Sequence, residues 1–152
     1  MAPLIVLVAV TSLARLIGLM GVTYVDTWPE ATAMGLAAMF VLTASAHFVQ
    51  PRRGGLVAIV PPQLPRPGLV VTVTGYLEAV GAVGLLIPSG VVPYLRIAAV
   101  VCLGVLLLAM FPANVYAARA IRGPHAPTTP LWLRTAMQLI FVGACVVVTL
   151  GS

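Results

Sequence analysis

Hydrophobic residues fall into five long runs, separated by short polar or proline-rich connections. Each run has about the length that an α-helix needs to cross the ~30 Å hydrocarbon core of a bilayer. None of them alternates polar and apolar positions as a membrane β-barrel strand does. The runs predict an all-α bundle with membrane-spanning helices over residues 4–22, 31–49, 68–87, 94–118 and 131–150.

The longest connection covers residues 50–67. Its apolar part, Leu56–Val60, is far too short to cross a membrane, and the prolines from Pro61 to Pro67 prevent a helix from continuing. We predict a loop or half-helix at the membrane interface, partly re-entrant where other helices cover it.

The composition supports a membrane protein. Of 152 residues, 61% are hydrophobic and only 7% are charged, whereas a soluble domain carries roughly 25% charged residues. The mean hydropathy of +1.13 agrees with this. We therefore predict a single membrane domain over residues 1–152. The net charge of +5 comes from arginines between the hydrophobic runs rather than from a basic patch, so no nucleic-acid partner is predicted.

The arginines predict the orientation in the membrane. Three polar residues lie on one side of the predicted bundle, Asp26, Glu30 and Arg96, and six arginines flank the connections on the other: Arg52, Arg53, Arg66, Arg119, Arg122 and Arg134. Positive residues favour the cytoplasmic side, which predicts an inner-membrane protein with its N-terminus inside and its C-terminus outside. The first run lacks a basic start and contains Arg15, so we predict a retained helix rather than a signal peptide.

Polar residues inside the spans are the candidates for function, because ionisable groups in membrane helices are rare and face protein or a wet cavity. At about 1.5 Å per residue, Glu78 lies near the middle of the membrane, and the other candidates lie in its cytoplasmic half. We predict one pocket, capped by residues 54–67 and lined by His47, Glu78, Asn114 and Gln138. Isolated helix-packing hydrogen bonds and snorkelling side chains remain an alternative.

Glu78 is the only carboxylate within a predicted span, and Arg15 is the only arginine at a similar depth, about 15 and 16 Å from the cytoplasmic helix starts. An unpaired arginine at the membrane centre is costly. We therefore predict that the first helix packs against the third and that Arg15 pairs with Glu78. In the alternative, Arg15 extends toward the outer surface and Glu78 bonds to His47 or Tyr76.

An ordered set of segments resembles the DoxX-like membrane proteins. The segments are SAHF, IVPPQLPRP, GYLEAVGAVGLLIP, LRIAAV, FPANVY and LRTAMQ, between about Met34 and Val142. The resemblance implies a four-helix core made of the second to fifth spans, to which the first helix is an addition. The positions that carry the pattern are His47, Pro61, Pro65, Glu78, Pro112, Asn114 and Gln138.

DoxX-type proteins include a membrane subunit of thiosulfate:quinone oxidoreductase and other components of membrane redox complexes. The resemblance therefore makes a quinone a candidate ligand and a soluble oxidoreductase or a second membrane protein a candidate partner. The sequence leaves self-association open. It transfers no catalytic residue. The two cysteines, Cys102 and Cys145, form no C-x-x-C motif, and no compact ligand spacing predicts a metal site.

Three functions remain open from the sequence. The first is a membrane subunit that binds a small lipophilic, quinone-like molecule through polar side chains. Its expected ligand-binding residues are His47, Tyr76, Glu78, Asn114, Arg134 and Gln138. The second is an isomerase- or cyclase-type enzyme that uses His47 and Glu78 as an acid–base pair. The third is a structural or chaperone-like membrane partner.

Overall fold

The computed structural model describes residues 1–119 and 129–151. These residues form helices and their connections, with no strand among them. The α-helices are α1 (Ala2–Leu19), α2 (Trp28–Phe48), α3 (Arg52–Ala58), α4 (Pro67–Leu86), α5 (Leu95–Ala109), α6 (Phe111–Arg119) and α7 (Leu131–Leu150). The predicted all-α class is confirmed.

Five helices in the described residues are long and apolar enough to cross a membrane: α1, α2, α4, α7, and α5 together with α6. Their bounds lie within about three residues of those predicted. Most of the connection between α6 and α7, residues 120–128, lies outside the described residues. This part includes Arg122, one of the arginines that predict the orientation.

The start of α2 shows why hydrophobicity alone misplaces a helix end. The Thr27 side chain accepts a hydrogen bond from the Glu30 backbone N–H (3.4 Å), and the Glu30 carboxylate accepts one from the Thr27 backbone N–H (3.3 Å). This reciprocal capping box satisfies two backbone donors that have no partner within the helix. The helix therefore begins at Trp28, three residues before the predicted span.

The fourth span is broken, where the sequence analysis predicted one continuous helix over residues 94–118. The break lies at Met110, whose carbonyl accepts from the backbone N–H groups of both Ala113 (3.1 Å) and Asn114 (3.3 Å). Pro112 is the physical reason, because its ring removes a backbone donor and clashes with the preceding turn. The chain restarts as α6 just beyond the break.

Helix α2 lies at the centre of the bundle, packed against α1, α4 and α7. More than half of its hydrophobic stretch is buried (56%), against 17% for α1. The largest fully buried side chains come from α2, α4, α5 and α7: Leu36, Met39, Phe40, Leu85, Val100, Leu103 and Val148. Helix α1 lies at the edge of this core.

The helices alternate in direction, which brings the arginine-rich connections to one end of the bundle. At the opposite end, the Tyr24 hydroxyl donates to the Leu86 carbonyl at the end of α4, and Gly151 at the end of α7 contacts Pro29 at the start of α2. We call the end that carries Arg52, Arg53 and Arg66 the arginine-rich end. Helix α3 covers the bundle there, packed on α2 and α4.

Candidate ligand-binding site

A cavity of about 280 Å³ lies between α2, α4 and α6 at the arginine-rich end. Leu56, Ile59 and Val60, at the end of α3 and just beyond it, form its cover. Its wall is mostly apolar, and the polar side chains that line it are Thr43, His47, Thr74, Glu78 and Asn114. Pockets that enclose a whole drug-sized ligand hold roughly 300–1,000 Å³, so this cavity suits the head of a small molecule.

Gly75 lets α4 approach α2 closely enough to place His47 beside Glu78. A Cβ atom added to Gly75 would lie only 2.5 Å from the Cβ of His47 and 3.0 Å from the ring of Phe48. Small residues on a helix face allow such close contact in membrane bundles. The small face predicted around Glu78 therefore packs against α2 here, and Gly81 packs against Leu103 of α5 in the same way.

His47 and Glu78 face each other inside the cavity wall. The His47 Nε2 atom lies 3.6 Å from the Glu78 Oε1 atom, an ion-pair distance longer than a hydrogen bond. The other ring nitrogen, Nδ1, lies 2.7 Å from the Val71 carbonyl oxygen. A carbonyl only accepts, so Nδ1 carries a hydrogen and Nε2 is the nitrogen that faces the Glu78 carboxyl.

The Glu78 carboxyl group has more hydrogen-bonding capacity than the surrounding chain uses. The residue is only 2% exposed, and its Oε2 atom is buried without a hydrogen-bond partner among the described residues. A buried polar atom without a partner is costly, and because Glu78 lines the cavity, this atom is a candidate contact for a ligand.

Asn114 is held at the cavity by a one-way chain of hydrogen bonds. Arg134 donates to the Asn114 Oδ1 atom (3.2 Å), Asn114 donates to the Gln138 Oε1 atom (3.1 Å), and Gln138 donates to the Leu107 carbonyl (2.8 Å). A guanidinium only donates and a carbonyl only accepts, so the two ends of the chain fix both amide orientations. Leu107 lies in the last turn of α5, where carbonyls lack helical partners.

Arg53 holds the cover of the cavity in place by hydrogen bonds, a role that the sequence analysis did not predict. Its guanidinium donates to the His47 carbonyl (2.6 Å), the Gly68 carbonyl (3.2 Å) and the Thr72 hydroxyl (3.0 Å). These three acceptors belong to the end of α2 and the start of α4. Arg53 therefore ties α3 to both helices that carry the His47–Glu78 pair. In the sequence, Arg53 appeared only as one of the arginines that set the orientation.

The structure divides the six candidate ligand-binding residues into three groups. His47, Glu78 and Asn114 line the cavity, as the pocket prediction requires. Gln138 and Arg134 lie behind Asn114 and position it. Tyr76 does not reach the cavity: its side chain is 61% exposed and packs edge-to-face on Phe48, with ring centroids 5.1 Å apart. Its assignment as a ligand contact is wrong, because a residue two positions from Glu78 points away from it on a helix.

The predicted ion pair between Arg15 and Glu78 is also wrong. The partner of Glu78 is His47, and the Arg15 guanidinium lies over the Trp28 ring, 5.6 Å from its centroid. The physical reason is that α1 packs on α2, so Arg15 extends to the start of α2 at the opposite end of the bundle. There a cation–π contact takes the place of a carboxylate.

The cysteines lie apart from the site. Cys102 is exposed on α5, Cys145 is buried on α7, and both are free thiols. Among the described residues, no three histidine, cysteine, aspartate or glutamate side chains are grouped as a metal site requires.

Comparison with known proteins gives a family match. The family described as Domain of unknown function (DUF8561) matches residues 36–149. The matched region contains the whole lining of the cavity and leaves out α1. No curated protein and no solved structure matches the chain.

Proposed function

Because the chain belongs to the DUF8561 family, whose description assigns no function, we propose one from the cavity: this integral membrane protein binds the polar head of a small lipophilic, quinone-like molecule. The observation that carries the proposal is the buried Glu78 carboxyl in a mostly apolar cavity wall, with one oxygen that has no hydrogen-bond partner among the described residues. Sites for small molecules combine an apolar lining with a few polar groups that fix orientation. The ligand tail would extend from the cavity into the apolar surroundings.

The resemblance to DoxX-like proteins gives this ligand a context. The first helix packs at the edge of the bundle, and the family match begins after it, both of which support a core made of the second to fifth spans. In that context the protein serves as a redox-accessory subunit. A soluble oxidoreductase or another membrane protein would exchange electrons with the bound molecule.

Filling the cavity tests the proposal. Ala113 lines the cavity on α6, and Ala113→Phe should displace the ligand because the added ring occupies the space for its head. Native mass spectrometry of gently extracted protein should show a bound lipophilic molecule in the unmodified chain and at least tenfold lower occupancy in the variant.

The matched control is Ala109→Phe, one helical turn away on the exposed side of α5. It adds the same ring and should leave the occupancy unchanged. An equal loss of ligand occupancy in both variants would refute the proposal. So would the absence of a bound lipophilic molecule in the unmodified chain.

The acid–base alternative is supported by the contact between His47 and Glu78, whose fixed tautomer suits proton transfer. The same experiment separates the two functions. A binding subunit returns its ligand unchanged after incubation, whereas an enzyme without any partner converts it, and the recovered molecule then differs in mass or retention time.

We propose an orientation with the N-terminus in the cytoplasm and the C-terminus outside. The five apolar helices support opposite sides for the two termini, and the arginine-rich end supports the cytoplasmic side for the cavity cover. Reporter fusions after residue 152 and between residues 123 and 130 should report opposite sides. Two reporters on the same side would contradict this orientation.

A further inference from the structure

The hydroxyl groups in the cavity wall donate to backbone carbonyls of their own helices. The Thr43 hydroxyl donates to the Phe40 carbonyl (3.1 Å), and the Thr74 hydroxyl donates to the carbonyls of Val70 (3.0 Å) and Val71 (3.1 Å). A hydroxyl has one hydrogen and two lone pairs, so both oxygens can accept further hydrogen bonds, and the Thr74 oxygen already has His47 Nδ1 3.2 Å away.

The His47–Glu78 pair adds a further acceptor. The Nδ1 hydrogen of His47 is used by Val71, so Nε2 is the nitrogen that faces Oε1, 3.6 Å away. We place one proton between these two atoms, because a bare carboxylate facing a nitrogen lone pair would be repelled. The remaining lone pairs of the carboxyl group can only accept.

Asn114 supplies the donor. Its Oδ1 atom is used by Arg134, and one hydrogen of its Nδ2 atom is used by Gln138. The second Nδ2 hydrogen remains for a ligand. The polar wall formed by the described residues therefore combines several acceptors with one amide donor.

We propose that this site selects ligands by a hydroxyl group and thus binds the reduced, quinol-type form in preference to the quinone; this rests on the proposed function. A hydroxyl donates to the Glu78 carboxyl and accepts from the Asn114 amide. A quinone oxygen can only accept, so it offers no hydrogen to the Glu78 carboxyl or to the Thr43 oxygen.

A neutral donor suits the site better than an ammonium group. With one shared proton, His47 and Glu78 together carry no net charge, and Arg53 on α3 places a positive charge close to His47. An ammonium would therefore enter a low-dielectric cavity without a counter-charge, which is unfavourable.

Two matched pairs of ligands test the selectivity, with the full chain in detergent and under anaerobic conditions. The first pair is a short-chain alkyl benzoquinol and its quinone. The second, inert to redox chemistry, is an alkylphenol and its methyl ether. Titration calorimetry should give about tenfold or tighter binding for the hydroxyl form in both pairs, since an unsatisfied buried acceptor costs about one decade or more in affinity.

Two variants locate the selectivity. Glu78→Leu should reduce the ratio of the two affinities, hydroxyl form to its partner, to near one. Thr43→Val keeps the shape of the side chain and introduces no charge change, and it should reduce this ratio in part. Val80→Leu, on the exposed side of α4, should leave it unchanged. The Thr43 variant keeps the test decisive if Glu78→Leu fails to fold.

The outcomes separate the two proposals. If both forms of each pair bind equally well, the selectivity is refuted and the proposed function stands. If none of the four compounds binds, the proposed function fails as well. A preference for hydroxyl forms that persists in both variants would overturn the roles given to Glu78 and Thr43.

Discussion

Gly75→Ala is expected to destabilise the protein by about 1–3 kcal/mol, although alanine favours a helix more than glycine does. The added Cβ atom would lie 2.5 Å from the Cβ of His47, an atom fixed to the backbone of α2. A flexible side chain could move aside, but here the two helices must separate. Because His47 and Glu78 lie at this crossing, ligand binding should weaken together with stability.

Gly143→Ala is the matched control. Gly143 also lies inside a membrane-length helix, and a Cβ atom added there would meet nothing within 4 Å. This variant should gain up to about 1 kcal/mol from helix propensity. Melting temperatures in detergent, compared between the two variants, give the measurement. Equal melting temperatures would show that α2 and α4 are not in close contact at Gly75.

Removing one member of the His47–Glu78 pair should cost about 3–5 kcal/mol, because the other is left buried without its partner. Glu78→Leu and His47→Leu should each lower the melting temperature strongly. The double variant should cost about 1–3 kcal/mol less than the sum of the two, since a buried pair replaced by apolar side chains leaves no polar group unpaired. Glu78→Gln should be milder, because an amide can donate to Nε2.

The control cycle combines Glu78→Leu with Arg15→Met. Arg15 lies over Trp28 and not at Glu78, so the two effects should add to within about 0.5 kcal/mol. Strict additivity for His47 and Glu78 would instead show that the 3.6 Å contact carries no coupling.

The spans and the depth of the polar residues could be predicted because both follow from one-dimensional spacing along the chain. A rise of 1.5 Å per residue brought His47, Asn114 and Gln138 to similar depths, and the structure joins Asn114 to Gln138 and places His47 in the same cavity wall. Depth does not determine which helices are neighbours. For this reason Arg15 was paired with Glu78, although α1 packs on α2.

The start of α2 and the break in the fourth span also have signals in the sequence, but the helix bounds were predicted from hydrophobicity alone. The series Thr27-x-x-Glu30 is a capping-box pattern and marks the start of α2. Pro112 marks the break in the fourth span. Arg53 had no such signal, since its three acceptors include two backbone carbonyls that come together only in the folded bundle.

The proton that we place between His47 and Glu78 also determines how the site would respond to an electric field. One elementary charge moved across a membrane changes energy by about 2.3 kcal/mol per 100 mV, so a lone carboxylate at mid-depth would feel roughly half of that. With that proton the pair is neutral as a whole, and the field acts on it only as a short dipole along the 3.6 Å contact. A neutral hydroxyl ligand adds no charge, so its affinity should be nearly independent of the membrane voltage.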